Sequence, residues 1–234
     1  MHPKYHLVAL VPMKSQSERV PGKNFRNLHG KPLFWWILET LLSMVEIELV
    51  VINTDAREQL RHHGLTDCDR ILVRDRLPVI CGDNVSMNSV LADDVQNISA
   101  QTYLMTHTTN PLLSALTIRR ALDQYLQGLA ERCNDSLFTV NRFQTRFYRN
   151  DGSPINHDPK QLLRTQDLET WFEENSNLYI FNRESFRTTQ ARIGVHPILF
   201  ETPKGESFDI DGPEEWEIVE SLVGRHKDQL NSLT

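Results

Sequence analysis

Apolar runs alternate with segments of helical spacing along most of the chain. The first run, L-V-A-L-V within His6 to Met13, is short and unbroken and gives way at Pro12 to polar residues, the pattern of a buried strand. A polar loop runs from Lys14 to Gly30, and Pro32 then opens a strongly apolar helix through Val45. A β-rich run, I-E-L-V-V-I-N-T, ends at Asp55. Ala56 to His63 reads as helix and R-I-L-V-R as a third strand. Helix is expected again around Ser86 to Ala100, and strand at Tyr103 to Thr106. From Ser114 to Gln127 the pattern predicts a helix with a serine cap and a stripe at Leu116, Ala121, Leu122 and Tyr125. S-L-F-T-V is a further strand. The alternation predicts an α/β fold with a doubly wound, mostly parallel sheet.

The rhythm changes from Asn141 to Arg192, which is rich in Asn, Arg, Asp and Pro, with short strand-like pieces and no strong helical stripe. This stretch is expected to leave the sheet as a small β-rich excursion. The division is therefore 1–140 with 193–234 as the α/β domain, and 141–192 apart. The rhythm resumes at V-H-P-I-L-F-E and closes with a helix from Pro213 to Val223, Glu214 and Glu215 in its first turn and Gly224 just past its end.

Composition narrows the function classes. A chain of 234 residues with 39% apolar and 24% charged residues can bury an enzyme-sized core. The net charge of −6 argues against a general nucleic-acid binder. Cys68, Cys81 and Cys133 have no metal-binding spacing and form no even disulfide set, which points to a reducing compartment. The N-terminal apolar run is too short for a signal peptide or a membrane span, so a cytoplasmic protein is expected.

Ligands of open α/β sheets sit at the carboxyl ends of the strands. The loop after the first strand, K-S-Q-S-E-R-V-P-G-K-N, carries Lys14, Arg19 and Lys23, two hydroxyls and Asn24. Converging cations and donors suit a triphosphate, while the loop matches neither G-x-G-x-x-G nor a P-loop; a solvated polar turn fits the spacing equally well. In D-I-D-G-P-E-E-W, Asp209 and Asp211 are two apart and face one side of an extended segment, as carboxylates on Mg²⁺ would. Alternatively, Asp211 or Gly212 caps the helix beginning at Pro213. R-T-Q at Arg164 to Gln166 and E-E-N-S-N-L-Y-I-F at Glu173 to Phe181 read from composition as a hairpin for packing or dimerisation. The histidines, including His62-His63, form no ligand set, and Trp35-Trp36 reads as core or interface filling.

Seven ordered pieces together resemble the acylneuraminate cytidylyltransferase family. They are P-x-K-x-x-S-x-R-V-P-x-K-N at Pro12 to Asn24, G-K-P-L at Gly30 to Leu33, T-D at Thr54-Asp55, and T-N-P-L at Thr109 to Leu112. R-x-Q at Arg164 to Gln166, E-N-x-x-x-Y-I at Glu174 to Ile180 and D-I-D at Asp209 to Asp211 complete the set. The resemblance implies a Rossmann-like sheet and a homodimer in which the excursion reaches the partner's site. It implies CTP and a sugar acid as substrates, with Lys14, Ser15, Lys23 and Asn24 on the nucleotide and Lys23 on its phosphates. Arg74 and the stretch to Asp83 would surround the cytosine and ribose, Asp209 and Asp211 would hold Mg²⁺, and Arg164, Gln166, Asn175 and Tyr179 would lie near the sugar. Departures from the family pattern are Lys14 for Arg, Gln16 and Glu18 for small or basic residues, His107 for Gln, Leu113 for Arg and Glu215 for Asp.

The implied reaction is in-line attack of the sugar's anomeric hydroxyl on the α-phosphorus of CTP, carried by positioning and charge neutralisation. Two rivals stand beside it. One is the related enzyme that activates the eight-carbon sugar acid KDO, against which Lys23-Asn24 count; the other is a nucleotide-binding regulatory protein without turnover.

Overall fold

The computed structural model describes residues 3–231, with side chains from 3 to 224. Its strands are β1 (Tyr5–Leu10), β2 (Asn27–Leu28), β3 (Lys31–Pro32), β4 (Leu49–Thr54), β5 (Ile71–Asp75), β6 (Ala100–Thr106), β7 (Ser136–Phe143), β8 (Trp171–Phe181) and β9 (Pro197–Glu201). The helices are α1 (Leu33–Ser43), α2 (Arg57–His62), α3 (Met87–Asn97), α4 (Ala115–Ala130), α5 (Arg183–Thr189) and α6 (Pro213–Asn231). Seven strands form one sheet in the order β5-β4-β1-β6-β8-β7-β9, and β2 and β3 form a separate small hairpin.

The central strands are apolar on both faces because helices cover both. Leu7, Ala9 and Val11 enter a core shared with α1, α2 and α4, while Val8 and Leu10 enter one shared with α3 and α5. This is the two-residue alternation of an extended chain. A third core joins Val20, Leu28 and Leu33 to Ile210, Trp216, Val219 and Val223. It packs α6 beneath the loop after β1 and so brings residues 14–24 beside 208–211. Among the described residues no helix is long and apolar enough to cross a membrane.

The α/β reading and the mostly parallel sheet hold, with β8 alone running antiparallel to its neighbours β6 and β7. Part of the segment set aside as an excursion lies inside this sheet. β8 bridges the two halves, α5 follows it, and only about residues 144–170 stand away as an arm. The signal of β8 is broken because its polar residues Asn175 to Asn177 sit where the register with β7 shifts, and Ser176 takes a left-handed φ of 54°. Tyr179 and Phe181, inside the segment set aside as an excursion, are fully buried in the sheet. Leu116 is 67% exposed; the buried face of α4 is Ile118, Ala121, Leu122 and Tyr125, one clean i, i+3, i+4, i+7 stripe that excludes it. α6 continues through Gly224 to Asn231, so that glycine does not end the helix.

Candidate active site

β1 is flanked by β4 on one side and β6 on the other, so the chain winds in opposite directions from it. The crevice beyond the carboxyl ends of β1 and β6 is the switch point where α/β proteins hold ligands. A cavity of about 350 Å³ lies there. The loop after β1 supplies Lys14, Gln16 to Arg19, Lys23 and Asn24; the segment after β5 supplies Arg76, Ile80, Asp83 and Met87; His107 to Thr109 and Asp211 complete the wall.

The loop has a defined shape. Val20 is buried in the third core, and Gly22, with φ of 63°, turns the chain into a short 3₁₀ turn at Lys23–Phe25. Asn24 is a buried strut: its Nδ2 donates to the Lys14 carbonyl at 2.8 Å and its Oδ1 accepts from the Thr108 hydroxyl at 2.6 Å. Asn24 therefore fixes the loop against the end of β6 with both ends of its amide engaged.

Lys23 Nζ donates to the Ile210 carbonyl at 2.5 Å. Burial lowers its pKa, and the charges of Asp209 and Asp211 oppose that shift. Ile210 is fully buried between the two aspartates, as alternation in an extended segment requires. Burial raises the Asp209 pKa against an opposing hydrogen bond with Thr109, the Asp211 charge adds to the rise, and Asp209 Oδ1 is enclosed without a hydrogen-bond partner. Asp211 pairs with Arg19 at 2.8 Å. Helix α6 is entered through Glu215, whose carboxylate accepts from the Gly212 N–H at 2.8 Å, so the Asp211 carboxylate is directed elsewhere. Asp211 lines the cavity with Lys23 and Arg19, whose cations suit a phosphorylated ligand, whereas Asp209 lies behind the wall and does not line it.

A family model described as cytidylyltransferase matches residues 8–233. The chain belongs to the cytidylyltransferase family. Among its relatives, the pseudaminic acid cytidylyltransferase of Campylobacter jejuni is 23% identical over 92% of this chain and 95% of its own. The N-acylneuraminate cytidylyltransferase of Oncorhynchus mykiss is 26% identical over 95% of this chain and 51% of its own. The CMP-N,N'-diacetyllegionaminic acid synthase of Legionella pneumophila is 24% identical over 96% of this chain and 99% of its own. The fold is that of a CMP:2-keto-3-deoxy-manno-octonic acid synthetase solved with CTP, at a TM-score of 0.64 and 16% identity over 94% of this chain and 99% of that one.

In this cytidylyltransferase the sequence-derived residues divide into two groups. Lys14, Lys23, Asn24, Asp83 and Asp211 line the cavity, and Lys14 Nζ reaches Asp83 at 2.6 Å, closing one side. Ser15 is turned away: its N–H and hydroxyl both donate to Asp55, at 2.7 and 3.0 Å, and Ser17 faces the cavity instead. Arg74 is also turned away, paired with Asp94 and, at 2.9 Å, with Asp93 of α3. From this stretch the arginine at the cavity is Arg76, which the sequence reading covered within the stretch to Asp83 but did not single out. The two are an even spacing apart, and only the end of β5 at Asp75 separates their directions.

The proposed sugar residues do not line this cavity. Arg164 is exposed on the arm and paired with Asp167 at 2.7 Å. Gln166 lies beside it, its carbonyl held by Gln144 at 2.8 Å. Asn175 is buried at the register shift, donating to Thr202 at 2.6 Å and Asn141 at 3.0 Å. The Tyr179 ring lies under Arg192, 3.7 Å from the guanidinium carbon, with its hydroxyl bonded to Glu174. Burial raises the Tyr179 pKa, so the phenol stays protonated.

His107 lies in the cavity wall. Burial, reinforced by the charge of Arg192, lowers its pKa to about 3, so it is neutral near pH 7. Unfolding restores an ordinary value of 6.5, so the unfolded chain binds the extra proton. Stability tied to His107 is therefore complete above about pH 6.5 and is lost as pH falls toward 3. Between pH 7 and about pH 4.5 the loss should be roughly 2–3 kcal/mol. Urea unfolding of His107→Gln beside the unaltered protein at both pH values measures it; equal pH dependence in the two would refute it.

Proposed function

We propose that this cytidylyltransferase transfers CMP from CTP to the anomeric hydroxyl of a nonulosonic, sialic-acid-like sugar acid, releasing pyrophosphate, and that it works in the cytoplasm as a Mg²⁺-dependent homodimer. The observation that carries the reading is the cavity at the switch point, where Lys14, Arg19, Lys23 and Arg76 face a space bordered by Asp211. Four cations match the charge of a triphosphate. The relatives' names, each a cytidylyltransferase or CMP-sugar-acid synthase for such an acid, support the acceptor class.

In the reaction the sugar's anomeric oxygen forms a bond to the α-phosphorus, the bond from that phosphorus to the β-phosphate bridging oxygen breaks, and the hydroxyl proton passes to solvent. Lys14, Arg19 and Lys23 orient and neutralise the phosphates, and Asn24 keeps the loop in place. Asp209 and Asp211 would hold Mg²⁺, whose charge on the phosphates would assist departure of pyrophosphate. The enclosed, unpartnered Asp209 Oδ1 fits a ligand of this kind, as does a pair of carboxylates that leaves other positions to phosphate and water. His107, neutral, offers no cation to the acceptor.

Pyrophosphate release with CTP, ATP or UTP against a panel of nonulosonic acids and KDO tests the reading. Turnover is expected with CTP and a nine-carbon acid, only in the presence of Mg²⁺. Preference for KDO would move the chain to the rival acceptor, and binding of CTP without turnover on any acid would favour the regulatory reading.

A further inference from the structure

Arg76 is a cation in the cavity wall whose observed partners are neutral. Its Nε donates to Asn53 Oδ1 at 3.1 Å, and its Nη2 to the carbonyls of Asn53 and Met13 at 2.8 and 3.2 Å. No carboxylate among the described residues pairs with it, although it is 8% exposed. Asn53 is fully buried in β4, and its Nδ2 points the other way, to Asp94 Oδ1 at 2.9 Å and Asp93 Oδ2 at 3.3 Å. Asp94 is fully buried in α3, is paired with Arg74, and has one oxygen without a partner.

The polarity of this chain of contacts runs one way. A carboxylate only accepts, so Asp93 and Asp94 require the NH₂ end of the Asn53 amide. That leaves the oxygen end for Arg76. The reversed amide would set a donor against the Nε–H of Arg76 and leave buried charges unsatisfied. Arg74 makes the arrangement tenable, because two adjacent carboxylates, one wholly enclosed, need a cation.

We propose that Asp94, held by Arg74, is a positioning residue for the nucleotide: through Asn53 it fixes the guanidinium of Arg76 at the cavity. The inference rests on the reading that CTP enters this cavity. A purely structural role, fastening α3 to the sheet, would depend on the ion pair; the positioning role depends on an acceptor at 94. The two differ in what Asp94→Asn does, since asparagine loses the ion pair but keeps an oxygen for the Asn53 amide.

The test is the dissociation constant for CTP, measured calorimetrically on the full chain without sugar acid, with urea unfolding alongside. Asp94→Leu is expected to weaken CTP binding about 10- to 100-fold while remaining folded, as loss of a charge-assisted contact would, and Asp94→Asn to stay within about threefold of the unaltered protein, the acceptor being kept. Should Asp94→Leu fail to fold, Arg74→Met with Asp93→Asn and Asp94→Leu removes the cation and both carboxylates it serves and is read the same way. Unchanged affinity in the leucine variant, or equal losses in the leucine and asparagine variants, overturns the proposal. Failure of the unaltered protein to bind CTP overturns the nucleotide reading instead.

Discussion

Asp211→Ala is expected to lower kcat/KM at least about 100-fold, the scale of losing a charge-stabilising group in the transition state. The carboxylate lines the cavity, and the helix entrance beside it is held by Glu215, so the loss does not come from an unmade cap. Its partner Arg19 is released by the same change. Both members of that pair are more than half exposed, so the ion pair itself contributes under about 1 kcal/mol and is readily exchanged for a ligand. In the proposed Mg²⁺ site Asp211 would leave Arg19 for the metal and Arg19 would turn to phosphate. Two measurements check this: Mg²⁺-dependent pyrophosphate release, and direct titration of Mn²⁺ binding in the absence of sugar. Near-normal turnover with unchanged Mn²⁺ affinity would reduce Asp211 to a tether for Arg19.

The second large effect is expected at the arm. Leu162 is 78% exposed and Leu163 53%, with Tyr148, Ile155 and Phe172 also exposed on this part of the chain. Phe143, Phe147 and Trp171 already satisfy one another by ring contacts, so the outer residues are what a second copy would cover. Arg164 and Gln166 sit on the same arm and take no part in their own chain's cavity. If the arm completes a neighbour's site, Leu162→Asp with Leu163→Asp should give monomers and lower activity on the order of 100-fold, the scale of lost substrate positioning. Light scattering at micromolar concentration should then change from about twice the chain mass of 27.2 kDa to that mass itself. A monomeric variant with full activity would return Arg164 and Gln166 to surface roles.

How much of this was legible in the sequence depended on how far each signal was local. β1, β4 and the helix after Pro32 are carried by unbroken apolar runs and were readable. The loop cations and Asn24 were readable because a polar loop after a buried strand at a switch point faces the ligand. Ser15 and Ser17, and Arg74 and Arg76, were not separable. Each pair is two apart, which in an extended strand means the same side, but the serines lie beyond β1 and the arginines straddle the end of β5, so parity no longer applies. β8 escaped for a different reason. Its partners are far away in sequence, and its polar centre serves buried hydrogen bonds to Thr202, Asn141 and the carbonyl of Glu206. The support of Arg76 was invisible because Asn53 and Asp94 meet only after α3 packs on the sheet.

The placement of β8 also dictates when the sheet can be finished as the chain emerges from the ribosome. The parallel strands β5, β4, β1 and β6 are all made first, and β6 then presents an unpaired edge. β7 follows without reaching it, since β8 must come between them. Until residue 181 has been made, the nascent chain carries an open, apolar strand edge of the kind that recruits other chains. Long-range pairing of this sort is also the slow part of folding. Overproduction should therefore yield aggregates enriched in chains stalled or truncated before β8, and a truncation after β7 should aggregate more readily than the full chain.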